Sequence, residues 1–118
     1  MTKKNYSLIG QVEEITLKNK EGVDEDHTLR EMDGKDRDTY VQKMRSRMTI
    51  HEGKPTGMKN VKGMQTDLVV LCLYDDDGER LKRDFIEGFP ATTLQSLFDD
   101  CNVMNGLVDD EEAESGND

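Results

Sequence analysis

The 118-residue chain has no tryptophan, only two cysteines and only two histidines. Cys72, Cys101, His27 and His51 are far apart in sequence, without the close Cys/His pairs a zinc site needs. Both cysteines fall inside apolar patterns and are expected as buried free thiols. His27 and His51 sit in polar contexts, as surface residues rather than general bases, because proton transfer needs a held geometry. No G-x-x-x-x-G-K-[ST] loop and no G-x-S-x-G elbow occurs. Apolar runs stay well short of a membrane span. The opening "MTKKNYSLIGQVEE" lacks an apolar signal region, so a soluble cytoplasmic protein is expected. These absences leave no catalytic, cofactor-binding or metal-ligating residue to nominate, and a binding protein is expected rather than an enzyme.

What is present is charge. Charged residues make up 36% of the chain and hydrophobic ones 33%. Leu, Ile, Val and Phe total 25, just above the roughly 20% level below which chains tend to stay disordered. One small domain over residues 1–108 is expected, with oligomerisation or a partner adding burial. Residues 109–118 form an acidic run expected to be disordered. The net charge of −10 repels nucleic acid and anionic membranes on average. Against that average, Lys43 to Lys62 holds six basic residues and one acid, Glu52. A solvated helix face followed by a flexible loop is the simpler account of that segment. The other is a docking patch for an acidic partner, the chain's own C-terminal run included.

Along the chain, "YSLIGQVEEITL" alternates as a strand does, Gly22 marks a bend, and "HTLREM" is the returning strand of a hairpin. Asp33 is an N-cap candidate for a helix from Gly34 to Met48, with Tyr40, Val41, Met44 and Met48 at helical spacing. "TIHEGKPTGMKN" reads as a mobile loop. Val61, Met64, Leu68, Leu71 and Cys72 follow a helical period, whereas local propensity over residues 66–74 favours strand; a helix ending near Tyr74 is expected. The last helix starts at Pro90 and carries Leu94, Leu97, Phe98, Cys101 and Met104 on one face. Asn105-Gly106 stops it, and Leu107 folds back. The expected fold is thus α+β and mainly α: an N-terminal β-hairpin followed by about three α-helices.

"LVVLCLYDDDGERL" ends its apolar half in three aspartates. With Gly78 at position six of an EF-hand loop, Asp77 and Asp75 fall on ligand positions, but position one is Leu73. The first ligand is missing, and a chain-reversing Asp-Gly turn is the better account. Such a turn at the carboxyl end of a helix has an electrostatic cost, since like charges meet there.

Four of the seven methionines, Met32, Met44, Met48 and Met64, cluster around the middle helices. Adaptable core filling explains them as well as a groove for a partner helix does.

Three segments in order resemble the small tail assembly chaperones of long-tailed bacteriophages. "HTLREMDGKDRDTYVQKM" resembles the family's LREM-x-G-x-x-RD-x-aromatic passage through Leu29 to Met32, Gly34, Arg37, Asp38 and Tyr40. "LVVLCLYDDDGERL" is similar to an apolar helix closed by an Asp-x-Asp-Gly turn, and "PATTLQSLFDDCNVMNGL" to the last helix. The resemblance spans roughly Tyr6 to Leu107, and the basic loop from Thr49 to Lys59 departs from it. It implies a chaperone that binds the tape-measure protein during tail morphogenesis in the host cytoplasm, with tail-tube subunits and its own copies as further partners. It also implies absence from the mature virion. Met32, Arg37, Tyr40, Met44, Met48 and Met64 are the expected partner-binding residues. The alternative function is an acidic DNA mimic that inhibits a host nucleic-acid enzyme, although the basic middle segment breaks the continuous negative face a mimic needs. A nucleic-acid-binding module built on Lys43 to Lys62 ranks below both, since that segment lacks aromatics.

Overall fold

A computed structural model describes residues 3–108. The acidic run expected to be disordered, and the boundary placed at 108/109, concern residues outside that range. The expected N-terminal hairpin is formed by β1 (Val12–Lys18) and β2 (Asp24–Arg30), paired antiparallel with Val12 opposite Arg30 and Lys18 opposite Asp24. Its bend is built by Asn19, whose side chain accepts from the Glu21 and Val23 amides, and by Gly22 at φ +83°. Tyr6, Leu8 and Ile9 precede the strand and are exposed, so the strand begins later than the alternation predicts.

Helix α1 (Gly34–Ser46) starts at the predicted cap: the Asp33 carboxylate accepts from the Asp36 amide at 2.8 Å. The Asp36 side chain does not return to the cap. It receives Arg80 Nη2 at 2.8 Å instead. The helix stops two residues short of the predicted Met48, because Met48 opens a second hairpin. Strands β3 (Met48–His51) and β4 (Lys54–Met58) occupy the segment expected to be a mobile loop. Glu52 at φ +53° and Gly53 at φ +77° supply the two left-handed residues of a tight hairpin turn. Pro55 is tolerated because a two-stranded ribbon has open edges on both sides.

Helix α2 (Met64–Cys72) leads without a loop into β5 (Leu73–Asp75), so residues 66–74 are helix and then strand. The expected helix to Tyr74 ends early because β2 offers an open edge. Leu73 pairs opposite Leu29, both fully buried, and Asp75 opposite His27. The first sheet therefore has the order β1-β2-β5. This turn into a strand also removes the electrostatic objection to three aspartates at a helix end. The chain has left the helix before it reaches them. Asp75 Oδ1 accepts from the Asp77 and Glu79 amides at 2.9 Å, and Gly78 at φ +80° completes the reversal. The Arg30 and Arg80 guanidiniums approach the Tyr74 ring, 4.6 and 5.5 Å from its centre.

A short helix, α3 (Arg83–Glu87), precedes α4 (Ala91–Met104). After α4, Gly106 at φ +66° passes its amide to Val103, and Leu107 donates to the Asn102 carbonyl at 2.9 Å. That is the predicted Schellman stop. The α+β class is as expected; among the described residues there are four helices where about three were expected, and with 39% of these residues helical and 25% in strands, mainly α overstates the helical share. Helix α2 is at the centre, packed on α4, α3, α1 and β2. Its Leu68, Val69 and Cys72 join Leu29, Tyr40, Leu73, Ile86, Leu97 and Cys101 in the core. Among the described residues no helix is long and apolar enough to cross a membrane.

Candidate partner-binding groove

One buried carboxylate fixes where α1 ends. Asp67, in the first turn of α2 and 5% exposed, receives Arg47 at 2.7 Å, Arg83 at 2.7 Å and Lys43 at 3.2 Å. Burial alone would raise its pKa, but the hydrogen bonds from Arg83, Arg47 and Lys43 outweigh that and hold the carboxyl below its ordinary value. The cluster ties the C-terminal turn of α1 to α2 and α3. Just past it, the Lys59 amide donates to the Arg47 carbonyl at 2.7 Å and closes the base of the β3–β4 ribbon. Helix and ribbon thereby diverge from a fixed point.

Between them lies an open groove of about 620 Å³. Its walls are Tyr40, Val41, Met44 and Arg45 from α1, Met48 from β3, and Pro55, Gly57 and Met58 from β4. Phe98 and Asn102 of α4 and the following Leu107 and Val108 form the remaining side. The volume lies within the roughly 300–1,000 Å³ of ligand-sized clefts. Met48 and Met58 are 36% and 43% exposed, which leaves two unbranched thioether chains able to re-pack on an occupant.

Three of the six expected partner-binding residues, Tyr40, Met44 and Met48, meet in this groove. The other three lie elsewhere. Met32 is core, and its amide donates to Asn105 Oδ1 at 2.8 Å. Arg37 is exposed and donates to the Asn105 carbonyl, supporting the end of α4. Met64 is half-buried at the start of α2. Sequence reasoning missed Met58 and Phe98. For Met58 the signal was the Glu52-Gly53 pair between short strand-like stretches, which marks a hairpin rather than a loop. Phe98 was assigned to the packed face of α4, and nothing local distinguishes a core phenylalanine from one at a groove.

The basic segment from Lys43 to Lys62 divides in two. Lys43 and Arg47 turn to Asp67. Arg45, Lys54, Lys59 and Lys62 are exposed and make no ion pair with another described residue.

A second cleft, about 700 Å³, lies between the β1–β2 bend and α3, lined in part by Leu17, Leu81, Phe85, Phe89 and Pro90. Phe85 and Phe89 stack edge to face with centroids 5.4 Å apart. Its border is mixed, with Lys18 and Lys20 beside Glu21, Glu25, Asp75 and Asp84.

Cys72 and Cys101 are free and fully buried. Asn105 donates to Cys72 Sγ at 3.4 Å, and the contact with Cys72 together with burial pushes the Cys101 thiol well up. Held protonated and enclosed, Cys101 is a packing residue, while the same contact draws the Cys72 thiol below its ordinary value. Among the described residues, no three His, Cys, Asp or Glu side chains are arranged to hold a metal ion. No family model matches the chain, and no curated protein or solved structure matches it either.

Proposed function

We propose that the chain is a tail assembly chaperone of a long-tailed bacteriophage, which holds helical segments of the tape-measure protein until tail-tube subunits enclose them. The observation that carries this is the methionine groove between α1 and the β3–β4 ribbon. It is apolar, open and lined by three exposed or half-buried thioethers: Met44, Met48 and Met58. A long helical client exposes apolar stripes before its tube forms, and an amphipathic helix laid in an apolar groove is a common recognition mode. Methionine suits a holder that must accept many sequence variants along one client. The three sequence segments that resemble the family supply β2, α1, β5 and α4, which frame the groove or support it. The ribbon that forms the remaining wall comes from the segment that departs from the family pattern.

On this proposal the chaperone works in the host cytoplasm, also meets tail-tube subunits and its own copies, and is left out of the virion. The test is co-expression with the tape-measure protein, followed by size-exclusion chromatography with light scattering. A soluble complex is expected, with the client insoluble when made alone. Met48→Glu with Met58→Glu, at exposed positions, should abolish co-elution while the circular dichroism spectrum stays that of the parent chain. A client that is soluble alone and never co-elutes would remove the proposal. A double variant that folds and still binds would remove the groove from it.

A further inference from the structure

Residues 3–11, KKNYSLIGQ, carry two lysines and no acid in a chain of net charge −10. They form an arm ahead of β1 whose large apolar side chains lie in water: Tyr6 and Ile9 are 79% and 85% exposed, and Leu8 is fully exposed. The arm is rooted at Gln11, whose amide donates to Glu31 Oε1 and whose side chain reaches the Met104 carbonyl. The cleft beside Phe85 and Phe89 lies at the other end of β1, against Leu17 and the bend. From Gln11 to Leu17 the strand covers about 20 Å, at about 3.3 Å per residue. From Gln11 back to Leu8 the chain spans at most about 11 Å. Leu8 and Ile9 therefore cannot fill the cleft of their own chain.

Strand β1 is also an edge strand: among the described residues, the order β1-β2-β5 leaves one side of it open. The Gln11 carbonyl accepts the Glu31 amide, and the Asn19 amide donates to the Val23 carbonyl. Backbone groups alternate in direction along an antiparallel strand. Odd-numbered residues of β1 thus turn theirs to β2, while Glu14, Thr16 and Lys18 turn theirs outward. Such a row is a template for another strand. We infer that it pairs with β1 of a second copy, antiparallel about a two-fold axis at Thr16, and that each copy's arm fills the other's cleft. In that register Glu14 stands opposite Lys18 of the second copy, Ile15 opposite Leu17, and the two Thr16 side chains opposite each other. All three are favourable cross-strand pairs. An axis at Glu14 would instead set that carboxylate against its own copy. Running antiparallel, the second chain reaches the bend with its arm still ahead, where the cleft opens. There its Leu8 and Ile9 meet Leu17, Phe85 and Phe89, and its Lys3 and Lys4 meet the acidic border at Glu21, Glu25 and Asp84. The inference rests on the own-copy contact within the chaperone proposal and gives that contact a surface.

Light scattering of the full chain across a concentration series, with sedimentation equilibrium for the dissociation constant, tests this. A dimer of twice the 13.5 kDa chain mass is expected. Lys18→Glu sets like charges opposite each other at both ends of the shared ladder and should weaken the dimer about tenfold. Adding Glu14→Lys to it should restore the parent affinity, because the pair is then reversed rather than broken. Leu8→Ser with Ile9→Ser, at exposed positions, should weaken the dimer at least about tenfold while the circular dichroism spectrum stays that of the parent chain. Deleting residues 109–118 should leave the dimer in place. A chain that stays monomeric at every concentration would overturn the inference, and so would a dimer indifferent to the arm variant or not restored by the charge swap. A dimer lost with residues 109–118, or dissociated by Met48→Glu, would place the contact elsewhere and overturn it too. Failure of the chaperone proposal looks different. A monomer that co-elutes with the tape-measure protein removes the own-copy contact and leaves the chaperone standing; a dimer with these properties that never co-elutes with the client leaves the contact and removes the chaperone.

Discussion

Asp67→Asn removes one charge and keeps nearly the same shape. The Asp67 and Arg47 side chains are 4% and 9% exposed, so this pair is a buried one. Removing one partner of a buried pair costs about 3–5 kcal/mol, because the remaining charge stays desolvated. Lys43 and Arg83 are 53% and 44% exposed and recover water, so their share is discounted to the roughly 0–1 kcal/mol of surface pairs. Asn still accepts one hydrogen bond, which places the loss near the lower bound, about 3 kcal/mol. A domain of this size holds roughly 5–15 kcal/mol in total, so the loss is a large fraction of it. At about 4–8 °C per kcal/mol the melting temperature should fall by about 12–24 °C. Urea denaturation followed by circular dichroism measures the difference directly.

The pH dependence adds an independent check. Hydrogen bonds hold the folded Asp67 carboxyl below its ordinary value, so the ionised form is favoured in the native state. That stabilisation is fully present above the unfolded pKa of about 3.9 and is lost as pH falls through the lower folded value. The gap between parent and Asp67→Asn should therefore be constant near neutrality and narrow below about pH 4. Asp67→Leu combined with Arg47→Met should regain much of the loss, since no unpaired buried charge remains. A single-variant loss under about 1 kcal/mol at neutral pH would refute the account of the cluster as a buried, mutually dependent unit.

Two further changes test the supports of the groove. Asn105→Ala leaves the Met32 amide without its 2.8 Å partner and removes bonds to the Cys101 carbonyl and Cys72 Sγ; a loss of about 2 kcal/mol is expected from urea midpoints, against near-zero for a solvent-exposed asparagine. Burial first, then the nearby Asp67 charge, push the Tyr40 hydroxyl up to about 12. Its neutral form is favoured in the folded state, so stability should decline as pH rises from 10 towards 12, at up to about 1.4 kcal/mol per pH unit. The Tyr40→Phe variant should lack that decline, and an alkaline limb identical in both proteins would disprove the assignment.

What could be read in the sequence was whatever is governed by neighbouring residues. Asp33 caps α1 because a carboxylate three residues before an amide reaches it whatever the rest of the chain does. Asn105, Gly106 and Leu107 stop α4 by a local pattern of the same kind. The acidic turn also follows from Asp75 and Gly78 alone. The passage from α2 to β5 was not legible, because it depends on Leu29 lying opposite Leu73, 44 positions further along the chain. The groove is a further step removed. It requires α1 to end at Arg47, and that end is held by Asp67, twenty residues on, and by Arg83 beyond it. Tyr40, Met44 and Met48 could be selected by spacing along one helix, although Met48 turned out to begin a strand. Met32 and Met64 entered by composition and lie elsewhere. Lys43 and Arg47 would have been counted as surface charge, yet they complete the buried cluster. Only after they are subtracted do Arg45, Lys54, Lys59 and Lys62 remain as exposed cations that pair with no other described residue.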